Sequence, residues 1–234
     1  MHAFLRAFTD PFYFRQSLPD VWSGFLINVH MMVVAEALVL VLALLIAIVR
    51  GLPGRGAKPL RGLAIVYTDF FRGTPLTIVA YMCILGLPSA VGFLKNTSST
   101  ELGIIALTVV YTAYVTEVYR AGIESVHGSQ RMAARSLGLS YFQALRYVVL
   151  PQAIRRVIPP LLNDFIGLQK DTAIIGAIGV TEAAAQGNNF AGDFYNYTGF
   201  FVAAVFFVYL TIPLARFTDH IIRERELRER AAGV

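Results

Sequence analysis

The chain has 234 residues, of which 56% are hydrophobic and only 15% are charged, and its mean hydropathy is +0.59. Soluble domains carry about 25% charged residues, so this composition excludes a disordered chain and disfavours a soluble enzyme. The net charge of +5 does not indicate nucleic-acid binding, because the basic residues lie in loops beside apolar segments. A single cysteine, Cys83, excludes a disulfide framework within the chain.

Five apolar segments are long enough to cross a membrane, since a hydrocarbon core of about 30 Å needs about 20 helical residues. In chain order they are residues 24–49, 62–87, 102–122, 157–180 and 198–222. The second is interrupted by the polar stretch 72–75, and the fourth contains polar residues in its interior. The predicted fold is therefore an all-α integral membrane protein with five transmembrane helices.

The positive charges of the loops predict the orientation of these spans. Fifteen Lys and Arg residues lie in the first loop, the third loop and the C-terminal segment, against three on the opposite side. By the positive-inside rule the N-terminus lies outside and the C-terminus lies in the cytoplasm. We therefore expect an extracytoplasmic or interfacial segment at 1–23, a transmembrane domain at 24–222 and a charged cytoplasmic tail at 223–234.

The charged loop 128–153, between the third and fourth spans, carries a distinct local pattern. Residues 131–137 contain good helix formers, Gly138 permits a turn that a Cβ would hinder, and Ser140 suits the N-cap of a second helix. We expect that second helix to stop near Pro151, because the residue before a proline disfavours the α region. The pattern predicts a short helix roughly parallel to the membrane, although a plain amphipathic surface hairpin fits it equally.

Several ordered motifs resemble those of one transporter family. Residues 132–179 contain the skeleton of the "EAA" loop, and FFRGTPL at 70–76, YVTEVYRAGIESV at 114–126 and LQKDT at 168–172 look like further signatures. The chain thus resembles, over about residues 21–222, the inner-membrane permease subunits of ATP-binding-cassette (ABC) importers for polar amino acids, of the histidine, arginine and glutamine type. The resemblance implies the type I importer permease fold and a place in the cell inner membrane.

The resemblance also implies partners and a coupling element. In such permeases the loop is a coupling helix that docks in a groove of an ATPase subunit. Two ATPases, a second permease subunit and an extracytoplasmic amino-acid-binding protein complete the transporter, with ATP and Mg bound by the ATPase. The chain itself is expected to hold no cofactor, to have no ATPase site, and to contact lipid rather than nucleic acid. Carried over, the ATPase contact comprises Arg131, Met132, Ala133, Ala134, Arg135, Ser136, Leu137, Gly138, Leu139 and Ser140.

Met132 departs from the family pattern, which usually has Glu at this position. An acidic contact to the ATPase is therefore absent from this chain. Two hypotheses follow: a second, different permease subunit supplies the missing Glu, or a homodimer tolerates Met.

Polar residues inside the predicted spans are candidates for a substrate path, since charges at bilayer depth are costly and normally face an interior or a cavity. The ionisable candidates are His30, Glu36, Asp69, Arg72, Glu117, Asp164, Lys170 and Asp171. The residues assigned to the path are Thr74, Glu117, Lys170, Asp171 and Thr172.

Each of these assignments has a structural alternative. A helix break at Asp171–Thr172 would offer free N–H groups to a substrate carboxylate, but an internal ion pair or a capped kink fits the pattern too. Thr74 could line the path or satisfy a freed carbonyl. Glu117 could bind a substrate ammonium, or it could pair with Arg72 or Arg120.

The sequence leaves the substrate open among basic, acidic and neutral amino acids. An ion-coupled secondary transporter, with Glu36, Asp69, Glu117 or Lys170 as a proton relay, is the alternative function, although no internal repeat is visible. The chain contains no phosphate-binding loop and no nucleophile-elbow motif, so we expect no ATPase activity of its own.

Overall fold

The structure, a computed structural model, describes residues 7–52, 54–126 and 128–231, and every regular element in these ranges is helical. The helices are α1 (Pro11–Gly51), α2 (Lys58–Gly73), α3 (Leu76–Ala90), α4 (Ser99–Glu124), α5 (Gly128–Ser136), α6 (Tyr141–Ala144), α7 (Leu150–Gly176), α8 (Ala183–Phe194) and α9 (Thr198–Ala231). The predicted all-α fold is thereby confirmed.

Helix α1 combines the predicted first span with most of the segment before it. Its 41 residues reach about 60 Å at 1.5 Å per residue, about twice the thickness of a hydrocarbon core. The helix begins where the Asp10 carboxylate accepts a hydrogen bond of 2.9 Å from the backbone N–H of Phe12. It ends where Leu52 adopts an extended conformation.

Within the part of the chain that the structure describes, three helical segments are long and apolar enough to cross a membrane: Ala7–Gly51, Ser99–Glu124 and Thr198–Glu224. Helices α2 and α3 qualify together as a fourth, with a bend of 105° between them. The bend lies at Thr74, which is extended because the α region is disfavoured before Pro75.

Helix α7 lies at the place of the predicted fourth span. Its 27 residues are long enough to cross a membrane, but it is not among the apolar helices. The charged residues that lower its hydropathy are Arg155, Arg156, Asp164, Lys170 and Asp171. That α7 forms the remaining span stays a prediction.

The core lies where α1, α4 and α7 pack together. Small side chains on α1, such as Ala35 and Ala43, are fully buried and let the helix backbones approach closely. Leu107 on α4 and Leu168 on α7 fill the space between them. Close packing of this kind, rather than the hydrophobic effect, is what holds helices together in lipid.

Large apolar side chains also cover the outside of the molecule. Val41 and Leu45 on α1, Leu63 and Val66 on α2 and Val208 on α9 are all exposed. A monomeric soluble protein rarely exposes so much apolar surface, whereas lipid or neighbouring subunits cover it in a membrane protein.

The predicted end of the second loop helix near Pro151 is wrong. Helix α6 continues through a π turn, Leu145–Val149, into α7, and Pro151 occupies the first turn of α7. Proline has no backbone N–H to donate to an α-helical hydrogen bond. It is tolerated at this position because the hydrogen-bonding pattern changes here, at the junction of the π turn and the α-helix.

Candidate functional site

The loop between α4 and α7 forms a helix, a glycine turn and a second helix, as the sequence predicts. At the end of α5 the backbone N–H of Leu139 donates to the carbonyl of Ala134 over 3.2 Å, and that of Gly138 donates to Arg135 over 3.0 Å. Gly138 has φ +86°, and a Cβ built on it would meet no atom within 4 Å. The turn therefore needs glycine for its left-handed backbone, not for lack of space.

The second loop helix begins with a reciprocal cap. The Ser140 hydroxyl accepts a hydrogen bond of 3.2 Å from the backbone N–H of Gln143, and the side-chain amide oxygen (Oε1) of Gln143 accepts one of 2.8 Å from the backbone N–H of Ser140. This arrangement confirms Ser140 as the N-cap.

Helix α5 rests on the protein along one face and leaves the rest exposed. Ala134 is buried, and Val126, Val149 and Ala153 form a small apolar cluster at the base of the loop. Met132 is 66% exposed and Leu137 is 84% exposed. Ala133, Arg135 and Ser136 are exposed as well, while the side chain of Arg131 lies outside the described part of the structure.

Glu117 on α4 is held by two arginines. Its carboxylate forms ion pairs with Arg50, at the end of α1, and with Arg120, one turn further along α4. Arg50 also donates a hydrogen bond of 2.9 Å to the hydroxyl of Thr68 on α2. The pairing with Arg120 is one of the predicted alternatives. Arg50 is not among the predicted partners, because it lies 67 positions away in sequence.

A cavity of about 480 Å³ opens between α4 and α7. Its lining includes Arg72, Tyr114, Glu117, Arg156, Pro160 and Asp164. Asp164 has a buried carboxylate oxygen without a hydrogen-bond partner among the described residues. The volume lies within the usual range for small-molecule sites, and the lining offers both signs of charge.

Of the alternatives considered at Asp171–Thr172, the structure does not contain the helix break. Helix α7 continues to Gly176, and the chain turns only in residues 177–182, where Gly179 has φ +102°. The small residues after Thr172 are compatible with a helix and do not interrupt it. The chain leaves the helical direction only near Gly179, whose φ is positive.

Three of the other four predicted path residues form hydrogen bonds within the protein. The Thr172 hydroxyl donates to the carbonyl of Gln169 over 2.7 Å, and Asp171 accepts a hydrogen bond of 2.8 Å from Tyr111. Thr74 donates to the carbonyl of Phe70 over 2.8 Å, which is its predicted structural alternative. Lys170 is exposed and forms no ion pair with the described residues. Of the five path residues, only Glu117 lines the cavity.

Glu182 is a buried carboxylate that caps α8. It accepts hydrogen bonds from the backbone N–H groups of Ala184 and Ala185, over 2.9 and 2.7 Å, and from the amide of Asn28 over 2.9 Å. The amide oxygen of Asn28 accepts from the N–H of Ala183 over 3.0 Å. Burial raises the pKa of the Glu182 carboxyl, while these hydrogen bonds oppose the rise. Asn28 and Glu182 thus join α1 to the start of α8.

Two glycines make room for Glu182, one for its side chain and one for its backbone. A Cβ on Gly176 would collide with the Glu182 side chain, and one on Gly24 would lie 2.6 Å from the Glu182 carbonyl carbon. No local sequence pattern marks either contact, so the sequence alone could not single out either glycine.

The long apolar helices indicate a membrane protein. Together with the exposed loop helix α5 and the charged cavity between α4 and α7, they are the features of an importer's membrane subunit. Residues 40–226 match the family described as "Binding-protein-dependent transport system inner membrane component", and the chain belongs to that family. The chain is a transport subunit, and ATP hydrolysis belongs to separate ATPase subunits. Members of this family work with an ATPase and a binding protein as partners.

Similar proteins carry names that agree with this class. The chain is 35% identical over 170 residues to the probable glutamine ABC transporter permease protein GlnM of Bacillus subtilis (strain 168), covering 72% of this chain and 77% of GlnM. It is 29% identical over 211 residues to the arginine transport system permease protein ArtQ of the same organism, covering 90% and 94%.

Solved structures agree in fold. A chain of a structure described as an amino acid ABC transporter with histidines superposes with a TM-score of 0.79 at 30% identity, over 88% of this chain and 94% of that one. A chain of the MetNI methionine ABC transporter, in an inward-facing conformation, reaches a TM-score of 0.71 at 21% identity, over 87% and 95%, which supports the fold alone.

Proposed function

We propose that this permease imports a polar amino acid or a closely related small solute into the cytoplasm. One observation carries the proposal: α5 connects the end of α4 to the segment leading into α7, and these two helices enclose the charged cavity. A force applied to α5 therefore acts directly on the walls of the cavity. The names of the relatives, which mention glutamine and arginine, support the choice of amino acids.

The proposed assembly contains two ATPases, a second permease subunit and an extracytoplasmic binding protein. The N-terminus lies outside and the loop and C-terminus lie in the cytoplasm, which the excess of Lys and Arg in those segments supports. ATP and Mg bind to the ATPases, and closure of the two ATPases moves residues 131–140. The spans then switch from inward-open to outward-open, and the binding protein loads the substrate.

The cavity suits a zwitterion better than an apolar solute. Asp164 is the candidate contact for a substrate ammonium, because its buried oxygen lacks a partner and Glu117 is already neutralised by two arginines. Arg72 and Arg156 line the same cavity and are candidates for the substrate carboxylate. Glu117 serves in this scheme to position Arg50 and Arg120 rather than to bind substrate.

Reconstitution tests the function. The permease, its ATPase and its binding protein are incorporated into proteoliposomes, and uptake of radiolabelled basic, acidic and amide amino acids is measured with ATP inside the vesicles. We expect ATP-dependent uptake that requires the binding protein. Uptake that an ion gradient drives without the ATPase would instead establish the secondary-transporter alternative.

A cavity variant tests the substrate contact. We expect Asp164→Asn to lower the uptake rate by about tenfold or more, because a charge-assisted contact to the ammonium is lost. Asp219→Asn is the matched control, since Asp219 is an exposed carboxylate on α9 that does not line the cavity. Equal uptake by Asp164→Asn and the wild type would remove Asp164 from the path.

A further inference from the structure

The junction of α1 and α2, residues 50–61, carries positive charge that no acidic residue of either neighbouring stretch offsets. Residues 37–68 contain no Asp or Glu. Arg50 is ion-paired with a carboxylate on α4, so its charge is neutralised. Arg55 and Lys58 are exposed and form no ion pair with the described residues. Two cations of the junction are therefore left without an anion.

Arg61 fixes the shape of this junction and keeps its own charge. Its guanidinium donates hydrogen bonds of 3.0 Å to the carbonyl of Leu52 and 3.1 Å to that of Gly54. The backbone N–H of Lys58 donates to the carbonyl of Arg55 over 3.2 Å, in the turn that starts α2. Carbonyl acceptors carry no net charge, so Arg61 adds a third positive charge beside the other two. The three cations are thus gathered on a loop whose backbone is tied down.

Exposed apolar side chains continue from these cations along both helices. Leu45 and Ile48 lie in the last two turns of α1, and Leu60 and Leu63 lie in the first two turns of α2. All four are exposed, although α1 and α2 pack against each other. In a membrane, acyl chains cover such side chains without a further protein. The basic residues therefore lie at the end of an apolar surface, which is where basic side chains meet lipid headgroups.

We propose that the junction binds an anionic phospholipid, with its headgroup at Arg55, Lys58 and Arg61 and its acyl chains along the exposed side chains of α1 and α2. Each basic side chain near an anionic lipid strengthens binding by about fivefold. A zwitterionic phospholipid has the same phosphate but also a cation that the three basic residues repel. The junction therefore selects lipid by net headgroup charge. This site is separate from the cavity and does not rest on the import of a solute.

The end of α9 is also rich in arginine, but it does not offer the same site. Arg216 and Arg223 are exposed there, and Asp219 and Glu224 lie in the same turns of the helix. Charges of opposite sign this close together cancel much of the attraction that an anionic headgroup would meet. These two arginines therefore provide a control in which the same amount of charge is removed elsewhere.

The test measures lipid binding to the purified full-length permease in detergent. The protein is titrated with phosphatidylglycerol or with phosphatidylcholine, and native mass spectrometry gives the populations with and without bound lipid. We expect the wild type to bind phosphatidylglycerol about tenfold or more tightly than phosphatidylcholine. Arg55→Gln combined with Lys58→Gln is expected to reduce this preference to about threefold or less, because two of the three attractive charges are lost. Arg216→Gln combined with Arg223→Gln is expected to keep the wild-type preference.

Three results would overturn the site. The first is equal affinity of the wild type for the two lipids. The second is an equal loss of preference in both double variants, because net charge rather than this junction would then set it. The third is displacement of phosphatidylglycerol by an excess of inorganic phosphate, which would indicate an anion site without a role for the apolar surface. Arg55→Lys combined with Lys58→Arg keeps both charges, and retained preference in this variant supports selection by charge.

Discussion

At the scale of single residues, Glu117 shows how an ion pair joins helices that are distant in sequence. The carboxylate pairs with Arg50, and the side chains of these two residues are only 14% and 13% exposed. Breaking such a pair leaves a charge with neither water nor a partner, which costs more than the pair itself contributes. The pair therefore holds the end of α1 against α4 beside the cavity.

We expect Glu117→Gln to lower the stability of the purified permease by about 3 kcal/mol, because Arg50 is left largely buried without a counter-ion. The measurement is the midpoint of thermal unfolding in detergent micelles. Glu124→Gln is the control, since Glu124 also pairs with Arg120 but is 63% exposed, and its loss should cost about 0.5 kcal/mol or less. Equal midpoints for the two variants would contradict the role assigned to burial.

At the scale of elements, the turn from α7 to α8 depends on one buried carboxylate. Glu182 satisfies the first N–H groups of α8, and Asn28 ties the same carboxylate to α1. The end of α7 is close enough to this group that only a glycine fits at position 176. The Glu182 carboxylate thus links α1 to the start of α8 and packs against the end of α7.

Gly176→Ala is expected to destabilise the protein by about 1–3 kcal/mol, because the new methyl group displaces the Glu182 carboxylate from its hydrogen bonds. Gly192→Ala is a matched control within α8, where a Cβ meets nothing within 4 Å. That change should stabilise the protein by about 0.5–1 kcal/mol, since alanine favours the helix. Chemical denaturation in mixed micelles, with both variants beside the wild type, gives the two signs; a stabilising Gly176→Ala would refute the packing argument.

At the scale of the whole molecule, the connectivity places the exposed loop and the cavity on the same pair of helices. Helix α5 joins α4 to the helical segment leading into α7, and Glu117 and Asp164 line the cavity from these two long helices. The π turn lets this segment pass Pro151 without ending, so a displacement of the loop reaches the cavity through a continuous helical connection.

Gly138→Val is expected to abolish transport-coupled ATP hydrolysis while leaving membrane insertion intact, because a β-branched residue resists φ +86°. ATPase stimulation in the reconstituted complex and membrane fractionation provide the two readouts. Gly54→Val introduces similar strain at φ +91°, also with open space around it, but in the loop between α1 and α2. Coupling that survives Gly138→Val, or fails equally in Gly54→Val, would contradict a specific role for the α5 turn.

The local parts of this structure follow from sequence, and the non-local parts do not. The Gly138 turn and the Ser140 cap are predictable because each rests on backbone chemistry within a few residues. The end expected at Pro151, and the break considered as one alternative at Asp171–Thr172, rest on the same kind of local rule. Both fail, because a π turn accommodates the proline and the helix remains unbroken as far as Gly176.

By itself the sequence determines that this protein is helical, membrane-embedded and built around a charged loop between two long helices, because hydropathy, loop charge and turn chemistry act locally. Only the tertiary structure decides that Arg50 neutralises Glu117 and that Asn28 and Glu182 anchor α8. It also decides that one Asp164 carboxylate oxygen beside the cavity has no hydrogen-bond partner among the described residues. These contacts join residues from different helices, and their partners are fixed by how the helices pack rather than by any spacing along the chain.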